Sequence, residues 1–126
     1  MATTNLIGIP TVLSPTVIGR EDRANYMLAQ AEKYNLNLHL LAVKDYHTNR
    51  DDFKVSGPMI QPDNFGYCTF ISYLQCMKKW YEETKEDNLI ICDDDIDFST
   101  SDHWPFTWEE FYSMLPPNWD CIQLAR

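Results

Sequence analysis

The chain has 126 residues, which is one domain long enough to bury a real core. Its composition is that of a globular protein, 44% hydrophobic and 23% charged, with a generous 13% aromatic share. A formal charge of −9 argues against a general nucleic-acid binder and against docking on an anionic membrane, because both need clustered Lys and Arg.

Ile7 to Leu13 is expected to form a first strand, and Ser14-Pro15-Thr16 to turn the chain. From Glu21 to Tyr34 the pattern is helical, with Ala24, Met27, Leu28 and Ala31 recurring at three- and four-residue spacing and Asn35 as the stop. Leu38 to Val43 is a short apolar run and a second strand. Lys44 to Asp63 is polar, with Gly57-Pro58 and Pro62 as breakers. Asp63 or Asn64 can cap the next helix. There Phe65, Cys68, Ile71, Leu74, Met77 and Tyr81 form an apolar stripe that Phe70, Tyr73 and Trp80 widen.

Leu89 to Cys92 has the fully apolar character of a strand at the centre of a parallel sheet. After the aspartates, Thr107 and Glu110 have the spacing of a capping box, and Phe106 and Phe111 that of a hydrophobic staple. This helix should end near Leu115, before Pro116-Pro117, and Asp120 to Leu124 should form a final strand. The order β-α-β-loop-α-β-α-β predicts an α/β domain: a mostly parallel sheet with helices on both faces. Ligands in such sheets bind beyond the carboxyl ends of the strands.

The four cysteines, Cys68, Cys76, Cys92 and Cys121, form no C-x-x-C pair, and each sits in an apolar run. They are expected to be reduced, buried thiols in a cytoplasmic protein rather than a zinc cluster or a disulfide framework. No apolar run approaches the roughly 18 residues of a membrane span.

Asp93-Asp94-Asp95-Ile96-Asp97 directly follows the apolar strand. Carboxylates this close repel, and a hard cation relieves the repulsion, with Mg²⁺, Mn²⁺ and Ca²⁺ all preferring carboxylate oxygen. In an extended segment Asp93, Asp95 and Asp97 point one way and Asp94 the other, so alternate carboxylates can converge on one ion. The bland alternative is a solvated acidic turn. An EF-hand loop needs Gly at its sixth position and Glu at its twelfth, where this chain has Phe98 and Trp104. A dehalogenase-type phosphatase motif, D-x-D-x-T/V, meets Asp97 or Ser99 at its fifth position. The sequence contains no G-x-G-x-x-G and no P-loop, which disfavours dinucleotides and Walker-type nucleotide binding.

An apolar strand ending in an acidic triplet with an embedded D-x-D resembles the metal-dependent glycosyltransferases of the GT-A fold. More narrowly, the chain resembles glycosyltransferase family 25, the lipopolysaccharide-biosynthesis type. The resemblance is carried in order by Arg20-Glu21-Asp22-Arg23, Ser72, Asp93-Asp94-Asp95-Ile96-Asp97-Phe98 and Trp119-Asp120-Cys121-Ile122. Four positions differ from the family pattern: its first acidic Glu is Asp93, its Gly-Cys pair falls on Cys68-Thr69, and its His falls on Tyr73.

The resemblance implies a Rossmann-like nucleotide-sugar-binding half that uses Mn²⁺ or Mg²⁺. It implies transfer of a sugar from a nucleoside-diphosphate sugar to a hydroxyl of a glycan or other acceptor. It also implies a further acceptor-binding half, which this chain is expected to lack. Asp95 is the expected main metal ligand, with Asp93 next and Asp97 as a further candidate. Asp94 could reach the ribose. Arg20 and Arg23 could pair with diphosphate or base, against the plainer reading of a helix-start pair balanced by Glu21 and Asp22. His103 and Trp104 could floor the sugar or acceptor site, against a packing role. No catalytic base is assigned. The rival classes are a non-catalytic cation-binding or interaction domain and, more weakly, an aspartate-based phosphatase-like hydrolase.

Overall fold

The computed structural model describes residues 4–43 and 65–124, with residues 65–70 described by backbone alone. The polar stretch Lys44 to Asp63, the helix cap at Asp63 or Asn64 and the Cys68 side chain lie outside the described residues. The elements are β1 (Val12–Val17), α1 (Glu21–Tyr34), β2 (Leu38–Val43), α2 (Phe65–Glu83), β3 (Ile90–Ile91), a 3-10 helix (Phe98–His103) and α3 (Trp108–Ser113). The strands form a parallel three-stranded sheet in the order β2-β1-β3, so the protein is α/β in character.

Local chemistry explains most of these elements. Glu21 and Asp22 lie in the first turn of α1 and Lys33 in its last, each where the helix dipole favours its charge. Asn35 ends α1 in the left-handed region at φ 54°, and its N–H closes on the carbonyls of Ala31 and Glu32. At α3 the capping box is complete, since Thr107 accepts from the Glu110 N–H and Glu110 accepts from the Thr107 N–H. The staple forms as well, with Phe106 and Phe111 stacked at 5.8 Å.

Four sequence expectations need correction. The first strand is Val12–Val17 rather than Ile7 to Leu13, so Ser14-Pro15-Thr16 lies inside it instead of turning the chain. β1 is the central strand, and β3, expected at the centre, pairs with β1 alone among the described residues. Asp120 to Leu124 forms no strand, because no neighbour takes up its backbone as a ladder among the described residues. Among the α2 residues whose side chains are described, the buried ones are Ser72 and Cys76. Leu74, Met77 and Tyr81, expected in the core, are exposed.

The core centres on Val12, Met27 and Cys92, with Ile9, Leu38, Leu40, Ile90, Ile96 and Phe98 packed around them. Val12 stands opposite both Leu38 and Ile90 in the sheet, so α1 lies over the face that these three share. Because β2 and β3 flank β1 on opposite sides, the crossover direction reverses at β1. In α/β sheets ligands bind outside the carboxyl ends of the strands at such a reversal, which here falls between β1 and β3.

The cysteine expectation holds in part. Burial pushes the Cys76 thiol up to about 11 and the Cys92 thiol up to about 12, so both behave as small hydrophobes. Cys121, expected to be buried, is exposed. No helix among the described residues is long and apolar enough to cross a membrane.

Candidate functional site

The site begins where β3 stops. On the β2 side of β1, the Val12 N–H bonds Asn37 O at 2.9 Å and the Ile18 N–H bonds Val43 O at 2.9 Å. On the other side, the Ile90 and Cys92 N–H groups reach Thr11 O and Leu13 O at 3.0 and 3.2 Å. The next rung on that side would need a donor at Pro15, which has no N–H. The ladder therefore ends at Cys92, and the chain turns through Asp94 and Asp95.

Alternation still governs the first two aspartates. Asp94 turns inward and is 6% exposed. Its carboxylate accepts from the Arg23 guanidinium of α1 at 2.9 Å. Asp93 goes the other way and accepts from the Tyr73 phenol of α2 at 2.6 Å. Burial, and then this hydrogen bond, push the Tyr73 hydroxyl well above the usual tyrosine range, so it stays a donor. Successive carboxylates are thus held by two different helices. Asp95 is exposed and makes no side-chain hydrogen bond among the described residues.

Asp97 acts locally, capping the 3-10 helix by accepting from the Ser99 N–H at 2.9 Å and the Ser99 hydroxyl at 2.6 Å. The serine hydrogen bonds hold its carboxyl below the usual range. Among the described residues no group of three or more His, Cys, Asp and Glu side chains is drawn together tightly enough to hold a metal alone. Asp93, Asp95 and Asp97 are all exposed and do not converge.

One face of α1 reaches the acidic segment at Asp94 and beyond it. Arg23, Met27, Gln30 and Tyr34 recur at four, three and four residues, which places them on one stripe. Arg23 takes Asp94, and Met27 packs in the core beside Cys92. Gln30 donates to Ile96 O at 2.8 Å and accepts from the Phe98 N–H at 2.6 Å. Tyr34 donates to Asp102 at 3.0 Å. The sequence stripe of Ala24, Met27, Leu28 and Ala31 shares only Met27 with this face, and Leu28 is 51% exposed. The helical spacing of a cation, a long amide and a phenol around Met27 was the signal that an apolar search passed over. Tyr26, one position from Met27, also faces the segment: burial, then the fields of Asp97 and Asp95, push its phenol up.

Also at the carboxyl end of the sheet, but on the β2 side of β1, lies an open hollow of about 200 Å³ between β1, β2 and the start of α1. Thr16, Gly19, Arg20, Ala24, Leu40 and Ala42 line it, and most of the lining is apolar. Ala24 and Ala42 leave the space by being small. The Thr16 hydroxyl is buried and has no hydrogen-bond partner among the described residues. Arg20, on the rim, is clasped by Asp22 through two hydrogen bonds at 3.1 and 3.0 Å. The helix-start arginines are therefore both paired with aspartates, Arg20 locally and Arg23 across the fold.

His103 ends the 3-10 helix and is exposed. Trp104 stacks on Phe106 at 5.2 Å, the first step of an aromatic row that continues through Phe111, Trp108, Tyr112 and Trp119. Neither residue has a hydrogen bond or ion pair to the aspartates among the described residues. No family model, curated protein or solved structure matches the chain.

Proposed function

We propose that the chain is the donor-binding part of a metal-dependent glycosyltransferase with a GT-A-like, Rossmann-type α/β fold. It would take a nucleoside-diphosphate sugar and pass the sugar to an acceptor hydroxyl. One observation carries this reading. The turn Asp93-Asp94-Asp95 stands at the carboxyl end of β3, at the reversal of the sheet, with two carboxylates anchored by α1 and α2 and Asp95 left open to a ligand.

The donor set suits the chemistry. Carboxylate oxygens are the preferred protein ligands of Mg²⁺ and Mn²⁺. Such ions commonly use one or two carboxylates and complete their shell with substrate phosphates and water. Asp95, with Asp93 beside it, is enough for that mode, and a closed cage of three side chains is not required. When bound, the ion would supply Lewis-acid stabilisation to the departing diphosphate.

The remaining residues have separate roles. Arg23 neutralises Asp94 and so lowers the repulsion that the triplet would otherwise carry. Tyr73 fixes the direction of Asp93. The apolar hollow beyond β1 and β2 suits the flat face of a base, and Arg20 stands at its rim.

Calorimetry with a panel of nucleoside diphosphates and nucleotide-sugars, with and without Mn²⁺, tests the proposal. Metal-dependent nucleotide binding is expected. Mn²⁺ binding without any nucleotide effect would favour a cation-binding domain instead. No metal-dependent binding at millimolar ligand overturns the donor reading.

A further inference from the structure

We propose that Gln30 is a positioning residue for the acidic segment, holding its backbone in the one conformation that presents Asp95. The inference rests on the reading of that segment as a cation site. After Cys92 the chain has left the sheet, so the backbone groups of Ile96 and Phe98 have no strand beside them among the described residues. A partly buried backbone group still needs a partner. Gln30 supplies both, donating to Ile96 O at 2.8 Å and accepting from the Phe98 N–H at 2.6 Å.

One amide makes the pair of bonds that a neighbouring strand would make to alternate residues, and it does so from a helix. Only a side chain with a donor and an acceptor on one planar group can do this. Glu lacks the donor, and Asn is one methylene shorter. The amide is itself fixed: Gln30 is buried, its nitrogen also lies 3.6 Å from the Met27 sulfur, and its two partners require opposite polarities. Arg23 on Asp94 and Tyr34 on Asp102 hold the segment on either side of this clamp. The stretch between Asp94 and Phe98 contains Asp95. Loosening its backbone leaves all four carboxylates in place and removes only their fixed geometry.

Gln30→Met keeps the length and the packing volume while deleting both hydrogen bonds. Two measurements decide the matter on the full chain: amide hydrogen exchange at Phe98, and Mn²⁺ affinity by calorimetry with the electron paramagnetic resonance spectrum of the bound ion. In Gln30→Met, Phe98 should lose protection while the amides of β1 keep theirs. Mn²⁺ should bind about 10–100-fold more weakly, the usual effect of removing a residue that orients a ligand. Its spectrum should also broaden as the site becomes heterogeneous. Leu28→Ala, on the exposed side of the same helix, should keep wild-type affinity.

Unchanged protection at Phe98, or unchanged Mn²⁺ affinity and spectrum in a folded Gln30→Met, overturns the inference. If protection is lost throughout β1, Tyr34→Phe replaces it: this variant deletes the Asp102 anchor and should weaken Mn²⁺ binding, and an unchanged affinity there likewise overturns the inference. A wild-type chain that binds no Mn²⁺ overturns the cation reading itself, and with it the role given to Gln30.

Discussion

Arg23 on α1 and Asp94 after β3 are 71 positions apart in sequence, yet the guanidinium lies 2.9 Å from the buried carboxylate. The pair closes the acidic turn onto the helix and makes the middle charge of the triplet structural. A carboxylate buried to this degree is costly without its partner.

Arg23→Ala should therefore destabilise the fold. Arg23 is 40% exposed, so solvent compensates in part, and the loss should be about 1–3 kcal/mol, less than for a sealed pair. Asp94→Asn in the same background should recover a fraction, because the stranded charge is then gone. Urea denaturation of both variants gives the measurement. A midpoint for Arg23→Ala equal to wild type would show that Asp94 finds water instead.

Thr16→Val should act in the opposite direction. Thr16 is 7% exposed and its hydroxyl is unpartnered among the described residues, so the fold carries a desolvated polar group with no return. Replacing it by a methyl of the same shape should stabilise by about 1 kcal/mol. Because the hydroxyl is sealed from the hollow, the same change should leave nucleotide binding unaltered while raising the melting temperature. A lowered melting temperature would mean that the hydroxyl has a partner in solution.

The sequence made the local devices legible. Asn35 as helix stop, the Thr107–Glu110 box and the Phe106–Phe111 staple depend on residues within a few positions of each other. The limits of β1 were illegible because Pro15 looks like a turn residue. It is tolerated inside the strand because its missing N–H falls on the side where β3 has ended, and every donor toward β2 is intact. The α1 face was illegible for a related reason. A search for apolar spacing finds the side of a helix that meets a sheet, and this helix also meets a polar segment through Arg23, Gln30 and Tyr34. The site was visible as composition, four carboxylates in five residues, but its geometry depended on contacts across roughly 70 positions.

Asp22 offers a pH readout away from the acidic turn. The Arg20 hydrogen bonds, ahead of smaller backbone and charge effects, bring its carboxyl from 3.8 down to about 2. A depressed acid stabilises the fold only while ionised. Its contribution is present above about pH 4 and is lost as the pH falls through about 2. The side chain is open to solvent, so the effect on stability is small and the titration itself is the observable. Carboxyl-carbon NMR should place Asp22 below the ordinary aspartates, and Arg20→Gln should return it toward them. An unshifted Asp22 in the wild type removes the pair from solution structure.

The last expectation separates binding from folding at Asp95. Asp95→Asn keeps the shape of the side chain and removes one charge. Asp95 is exposed and anchors nothing among the described residues, so the fold should be unaffected, within about 0.5 kcal/mol. Without metal the variant should if anything be slightly more stable, because one of four crowded charges is gone. With Mn²⁺ the order reverses. The wild type gains about 2.7 kcal/mol of apparent stability at a hundred times its dissociation constant, since the ion binds only the folded chain. Asp95→Asn should gain far less at the same concentration. Asp97→Asn is the internal comparison, because an Asn side chain can still cap the 3-10 helix and the residue is not the expected main ligand. Melting curves of the three proteins across a Mn²⁺ series, repeated with a nucleoside diphosphate, report all of this. Equal metal-induced shifts in wild type and Asp95→Asn would remove Asp95 from the site. A nucleotide effect that survives the substitution would move donor binding away from the acidic turn and onto the hollow alone.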